Sequence, residues 1–261
     1  MQSWFTKLGR HRPRHTRAPA PSPILSSVPE GTLIYAIGDI HGRLDLLQKL
    51  ETMIERDAAG IDAGRRLIIC LGDFVDRGDD SYGVIEHLVQ GAPGSFERIC
   101  LIGNHESYFL RFFDDRMVAG AWLANGGRET LSSYGVPPPG FDIDGNSEEM
   151  QAELRTRVPE SHLAFLQSLA LSHREGDYLF VHAGVRPGVP IDRQDPDDLM
   201  WIREEFLADQ RDFGAVVVHG HSIRPAPENL ANRIGVDTGA YTTGRLSCVV
   251  LQGSERRFLS T

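Results

Sequence analysis

No apolar run in these 261 residues is long enough to cross a bilayer, and none near the start is long enough for a signal-peptide core. Cysteine is scarce. Cys70, Cys100 and Cys248 each sit inside an apolar run, with no paired spacing, which excludes a secreted disulfide scaffold and predicts buried, reduced thiols. Net positive charge is also missing. The formal charge is -9 and the pI is near 5.6, which argues against non-specific binding to nucleic acid. No internal repeat is visible. What remains is a cytoplasmic globular chain, 41% hydrophobic, with enough apolar content for one large domain or one domain with a cap.

The acidity is uneven. Residues 1–30 carry Lys7, Arg10, Arg12, Arg14 and Arg17 against Glu30 alone, a local charge of +4, so the rest of the chain carries -13. Pro13, Pro19, Pro21, Pro23 and Pro29 punctuate this segment. It is expected to be a disordered, solvated basic tail. A second reading makes it a weak tether to an anionic surface, with Trp4 and Phe5 as anchors.

Order is expected from about Gly31. Short, continuously apolar segments then recur at Leu33 to Ile37, Leu67 to Leu71, Ile99 to Ile102, Tyr178 to Val181, Ala215 to Val218, Arg233 to Val236 and Leu246 to Leu251. Such runs read as strands covered on both faces. The last two, joined by a turn rich in Gly and Thr, look like a hairpin. Arg43 to Ala58 has a helical apolar stripe of Leu44, Leu47, Leu50, Met53 and Ile54, and Ser81 to Gln90 and Glu106 to Phe113 are similar. Alternating strand and helix implies βαβ units and an α/β fold. Residues 136–160, which begin with Pro137, Pro138, Pro139 and Gly140, are expected to be a loop or cap segment, and residues 254–261 a C-terminal tail.

Five motifs fall at the carboxyl ends of five of these strands: Gly-Asp-Ile-His-Gly at 38–42, Gly-Asp-Phe-Val-Asp-Arg-Gly at 72–78, Gly-Asn-His-Glu at 103–106, His-Ala-Gly at 182–184 and Gly-His-Ser at 220–222. That edge is where α/β sheets bind ligands, so residues remote in sequence can converge there. Carboxylate, amide oxygen and imidazole together suit hard divalent cations. Asp39 and His41 can turn to one ion, Asp73 can bridge, and Asn104, His182 and His221 can complete a second. No motif contains cysteine, so a structural zinc cluster is not indicated.

His105 follows a candidate ligand and is free to act as a general acid, with Asp76 to orient it. Its alternative role is a helix cap. Arg77 and Arg203 are candidate phosphate clamps, the alternatives being a salt bridge to Asp79 and a helix-surface arginine. His219 reads as a partner to the ligands or a packed histidine, and Tyr241 as a residue closing over substrate or simply packing. Two cations sharing a water would make hydroxide available for in-line attack on a phosphate held by Arg77 and Arg203, while His105 protonates the leaving oxygen.

The three leading motifs, separated by 29 and 24 residues, resemble the signature of the phosphoprotein phosphatase family of serine/threonine phosphatases within the calcineurin-like metallophosphoesterases. The resemblance spans roughly residues 31–253. It implies a four-layer α/β/β/α sandwich of two mixed sheets flanked by helices. It also implies Asp39, His41 and Asp73 on one metal and Asp73, Asn104, His182 and His221 on the other. Manganese is the expected pair, iron or zinc the alternatives, and the expected partner is a phosphoprotein or phosphopeptide. Asp76 with His105 is implied as the acid pair, Arg77 and Arg203 as phosphate ligands. Trp122 to Gly127, Gly-His-Ser-Ile-Arg-Pro-Ala-Pro and Asp-Thr-Gly-Ala resemble compact bacterial members, without the regulatory segments of the longer eukaryotic enzymes. The activity expected is that of a protein serine/threonine phosphatase that also accepts phosphotyrosine. Two other readings stand beside it: a symmetrical dinucleoside tetraphosphatase, and a non-catalytic phosphoprotein-binding module on the same fold.

Overall fold

The computed structural model describes residues 26–138 and 143–261. Strand and helix alternate first, as β1 (Thr32–Ile37), α1 (Leu44–Ala58), β2 (Arg65–Cys70), α2 (Ser81–Val89), β3 (Glu97–Cys100) and α3 (Asn104–Asp114). Four helices follow: α4 (Ala119–Trp122), α5 (Arg128–Ser133), α6 (Ile143–Arg157) and α7 (Glu160–Gln167). Then come β4 (Ser172–Glu175), β5 (Tyr178–Val181), α8 (Pro196–Trp201), α9 (Glu204–Leu207), β6 (Val216–His219), β7 (Glu228–Asn229) and β8 (Arg233–Gly235). The chain closes with α10 (Ala240–Thr243), β9 (Ser247–Gln252) and β10 (Glu255–Ser260).

The strands form two mixed sheets, ordered β10-β9-β1-β2-β3 and β4-β5-β6-β8-β7. β1, β2 and β3 are parallel, as are β5, β6 and β8, and antiparallel strands complete the edges. Side chains alternate across each strand, so the apolar runs supply both faces. Leu33, Tyr35 and Ile37 pack under α1 and its neighbours, whereas Ile34 and Ala36 face the other sheet. Phe180 and Val218 meet them from β5 and β6, while Leu179, Val181 and Val217 pack on the far side with Leu199 and Phe206. The result is four layers, helices on sheet on sheet on helices. The apolar stripe of α1 is buried through Leu46, Leu47, Leu50 and Ile54, as its period requires. No helix among the described residues is long and apolar enough to cross a membrane. All three cysteines are free, Cys70 and Cys248 fully buried.

The structure corrects several boundaries. β8 and β9 do not form a hairpin: β8 pairs with β6 in one sheet and β9 with β1 in the other, so the segment between them passes from sheet to sheet. Residues 255–260 are not a tail. They pair with β9 along its length, and Arg257 reaches Asp57 of α1 at 2.7 and 2.5 Å. Order precedes Gly31, because Val28 is 3% exposed and donates its N–H to the Gly253 carbonyl at 3.0 Å. Within 136–160, residues 143–157 are helical and α7 begins at Glu160. Residues 139–142, and residues 1–25 with Trp4 and Phe5, lie outside the described residues.

The strands that escaped the apolar search lie at the sheet edges. β4, β7 and β10 carry Ser-His-Arg-Glu, Glu-Asn and Glu-Arg-Arg-Phe-Leu-Ser, and each is an edge strand, where charge discourages pairing with other chains. Removal of residues 254–261 should lower the unfolding free energy by about 3 kcal/mol, from the apolar contribution of Phe258 and Leu259 alone. Urea or thermal unfolding measures this, and an unchanged midpoint would return the segment to the status of a tail.

Candidate metal centre and acid pair

The loops after β1, β2, β5 and β6 and the first turn of α3 meet at one sheet edge. They bring Asp39, His41, Asp73, Asp76, Asn104, His105, His182 and His221 into one buried cluster, none more than 5% exposed. The backbone is strained there. The described non-glycine residues with positive φ are His41, Asp73, Asp76, Arg77 and His221, all within the expected site. Short polar side chains tolerate this region best, which suits the Asp and His positions better than Arg77. Close approach requires glycine at Gly103, where a Cβ would lie 2.2 Å from Asp73 Oδ1, and at Gly220, where it would lie 2.1 Å from Asp39 Oδ1.

One side chain ties two of these loops together. Glu106, at the third position of α3 and fully buried, accepts N–H bonds from Gly103 (2.9 Å), Asp73 (2.8 Å), Phe74 (2.7 Å) and Val75 (3.2 Å). Burial, and then the Asp73 carboxylate, push Glu106 up to about 7, against those N–H donors. The sequence showed Glu106 as the last residue of the Gly-Asn-His-Glu motif, with no sign of its partners. Its reach across to residues 73–75 depends on β2 and β3 being adjacent.

Two groups of donor atoms share Asp73. His41, Asp73 and His105 form one, and Asp73, His182 and His221 the other, with ligand atoms inside each within 4.8 Å of one another. Asn104 Oδ1 lies 3.0 Å from His182 Nε2, and so joins the second group. Asp39 lies beside these groups, and its carboxylate accepts the His221 N–H at 3.0 and 3.1 Å. Burial, then Asp237 and Asp73, raise Asp39 well above the usual carboxylate range. Asp237, 3% exposed, is a buried acid beside the cluster that the sequence did not single out.

The donor set fits divalent cations. His41 Nδ1 lies 2.8 Å from the Val75 carbonyl and His182 Nδ1 2.9 Å from the Leu71 carbonyl, contacts that assign the ring protons to Nδ1 and turn Nε2 inward. Asn104 Oδ1, His221 Nδ1 and Asp73 Oδ1 then converge on His182 Nε2 at 3.0, 3.1 and 3.3 Å. Acceptors crowded in this way need positive charge between them. Although burial opposes it, Asp73, with Asp39 and Glu106, pushes His182 up to about 9, so a second proton supplies that charge. A cation would take the proton's place. Burial holds His41 down to about 3 and His221 down to about 2, the neutral form that ligates metal. His221 Nε2 and His105 Nε2 are buried with no hydrogen-bond partner among the described residues.

His105 Nδ1 lies 2.7 Å from Asp76 Oδ2, and its Nε2 3.8 Å from Asp73 Oδ2. Burial works to lower His105, but Asp73 and Asp76 outweigh it and raise the imidazole above its ordinary value. Arg77 Nη1 donates to His41 Nε2 at 2.8 Å, and its guanidinium lies over the Tyr241 ring at 5.1 Å. Tyr241 meets the His41 ring edge-on at 5.4 Å. Together Arg77 and Tyr241 line a cleft of about 570 Å³. Arg203 donates to the His221 carbonyl at 3.1 Å and, with Trp201, lines a second cleft of about 450 Å³. His219 is packed edge-on against Phe206 at 5.0 Å, and its Nδ1 bonds the Gly220 carbonyl at 3.0 Å. It therefore braces the backbone before His221.

Asp73→Asn should drop the bound metal below two ions per chain, measured by metal content after dialysis; two retained ions would remove Asp73 as the shared ligand. Glu106→Gln sets an amide NH₂ against backbone N–H groups and should cost about 3 kcal/mol of stability, together with metal, because buried donors lose their partner. Urea unfolding with a parallel metal assay checks it.

The calcineurin-like phosphoesterase family matches residues 32–246. The asymmetrical bis(5'-nucleosyl)-tetraphosphatase PrpE of Bacillus thuringiensis (strain Al Hakam) is 27% identical over 233 residues, covering 82% of this chain and 88% of its own. Serine/threonine-protein phosphatase 2 of Escherichia coli (strain K12) is 26% identical over 222 residues, covering 82% and 90%. A crystal structure of a putative diadenosine tetraphosphatase superposes with a TM-score of 0.61 at 22% identity, over 91% of this chain and 95% of that one, and so shares the fold. With the family match running from β1 to the residue before β9, and enclosing both donor groups and the acid pair, this chain belongs to the calcineurin-like phosphoesterases.

Proposed function

We propose that this phosphoesterase is a protein phosphatase that hydrolyses phosphoserine and phosphothreonine, and also phosphotyrosine, with two divalent cations, manganese foremost. The observation that carries the reading is the buried His105–Asp76 pair at 2.7 Å, whose outer nitrogen, Nε2, has no hydrogen-bond partner among the described residues. A serine or threonine alkoxide is a strongly basic leaving group and needs a proton as it departs. The nucleotide released from a phosphoanhydride is weakly basic and needs none. A proton donor held this carefully is therefore matched to a monoester.

The bound cations would supply an activated water and positive charge for the phosphoryl oxygens. Asp73 would serve both, with His41 on one side and Asn104, His182 and His221 on the other. Asp39 would join His41 on the first side, its carboxylate also accepting the His221 N–H. Arg77 would leave His41 for the phosphate oxygens, and Arg203, on the rim of the second cleft, would meet them from the His221 side. Asp76 holds the proton of His105 at Nδ1, so that Nε2 carries the proton given to the leaving oxygen. Tyr241 would cover the substrate beside Arg77.

The relatives named bis(5'-nucleosyl)-tetraphosphatase favour a second reading, cleavage of a dinucleoside polyphosphate at the same site. The metal-loaded enzyme should turn over a phosphoserine peptide with a higher kcat/KM than diadenosine tetraphosphate. His105→Ala should lower kcat on the peptide by about 10²–10⁴-fold with metal content unchanged. A strong preference for the nucleotide would reverse the assignment, and loss of metal in step with activity would make His105 a ligand instead.

A further inference from the structure

Asp76 can orient His105 only if its own carboxylate is held, and the groups that hold it lie outside the five motifs. We infer that Trp122 and Thr130 are positioning residues for His105, acting through Asp76; this rests on the reading of His105 as proton donor given above. Trp122 Nε1 donates to both carboxylate oxygens of Asp76 at 3.1 Å. Thr130 Oγ1 donates to Oδ1 at 2.6 Å. That leaves Oδ2 with a lone pair in the carboxylate plane, and His105 Nδ1 sits on it at 2.7 Å. Asp76, Trp122, Thr130 and His105 are all fully buried, so no solvent can replace a lost donor.

The backbone of Asp76 is held by the same residues. Its N–H bonds Thr130 Oγ1 at 2.8 Å and Ser81 Oγ at 3.0 Å, which fixes a left-handed residue with φ of 70°. The indole is itself immobilised. Phe112 and Phe109 pack on it at 5.0 and 5.8 Å, and a Cβ at Gly127 would stand 2.6 Å from its ring. The Gly126 carbonyl accepts the Arg77 N–H at 3.1 Å, so the same segment also fixes the residue after Asp76. The groups beside the Asp76 carboxylate are thus one hydroxyl, one indole N–H and one imidazole. Without the first two, the carboxylate could turn about its Cβ–Cγ bond, and His105 Nε2 would lose its aim.

The test compares two esters with the metal-loaded enzyme. Phenyl phosphate releases a basic phenolate, and dinitrophenyl phosphate a weakly basic one that needs no acid. Thr130→Val and Trp122→Phe should lower kcat on phenyl phosphate by roughly ten- to hundredfold, the scale of a lost hydrogen bond to a buried charge, with KM and metal content unchanged. Dinitrophenyl phosphate should be hydrolysed nearly as by the parent, and Thr130→Ser, which keeps the hydroxyl, should restore phenyl phosphate turnover. Thr130→Val is nearly isosteric, so it carries the test if Trp122→Phe fails to fold. Equal loss on both esters, or no loss on phenyl phosphate, overturns the inference. His105→Ala is the reference. If it slows both esters alike, the acid assignment itself falls; if it is selective and Thr130→Val is not, only the positioning role falls.

Discussion

The carboxylate of Glu106 is the constraint on which the site depends. The stretch after β2 and the start of α3 must lie against each other for Asp73, Asp76, Asn104 and His105 to face a common centre. The fully buried carboxylate of Glu106 takes four backbone N–H groups, one from Gly103 just before its own helix and three from the facing loop. Hydrogen bonds to a charged group contribute roughly 1.5–3 kcal/mol each. That is the scale needed to offset the left-handed residues Asp73, Asp76 and Arg77, which cost of order 1–3 kcal/mol apiece.

Charge is then divided among the histidines by their second neighbours. All are buried, and burial alone would keep every one neutral. Burial dominates at His41 and His221, and with His105 and Arg77 beside the first and His182 and Arg203 beside the second it outweighs Asp73, so both stay low. His105 has Asp76 as well as Asp73, and His182 has Asp73, Asp39 and Glu106, and both rise. One arrangement thus holds two imidazoles below their ordinary value and two above it, from a single residue type. Asp73 makes the division possible, because the histidines hold its carboxyl well below the usual range despite burial.

The central strands and the motifs were legible from the chain because they obey local rules. A strand buried on both faces is apolar at every position, so β1, β2, β5, β6 and β9 announced themselves. Their carboxyl ends carried the glycines, acids and histidines that converge. β4, β7 and β10 hid because an edge strand can be charged, and the apparent hairpin of β8 and β9 failed because adjacency in sequence says nothing about which sheet a strand joins. In the site, Asp237, Thr130 and Trp122 were missed or unassigned for the same reason. Each meets the site at a partner, Asp39 or Asp76, that is remote in sequence.

The order of residues alone pointed to the class of chemistry, since a set of Asp, Asn and His at strand ends, free of cysteine, suits divalent cations such as manganese, iron or zinc rather than a structural cysteine cluster. Tertiary structure decided everything that depends on distance: that Asp73 stands between two donor groups, that Asp39 turns to the His221 amide, and that Glu106 bridges two loops. The physical reason is that ligation and proton transfer act over about 3 Å. Residues more than a hundred positions apart reach that range only when two sheets stack and align their edges.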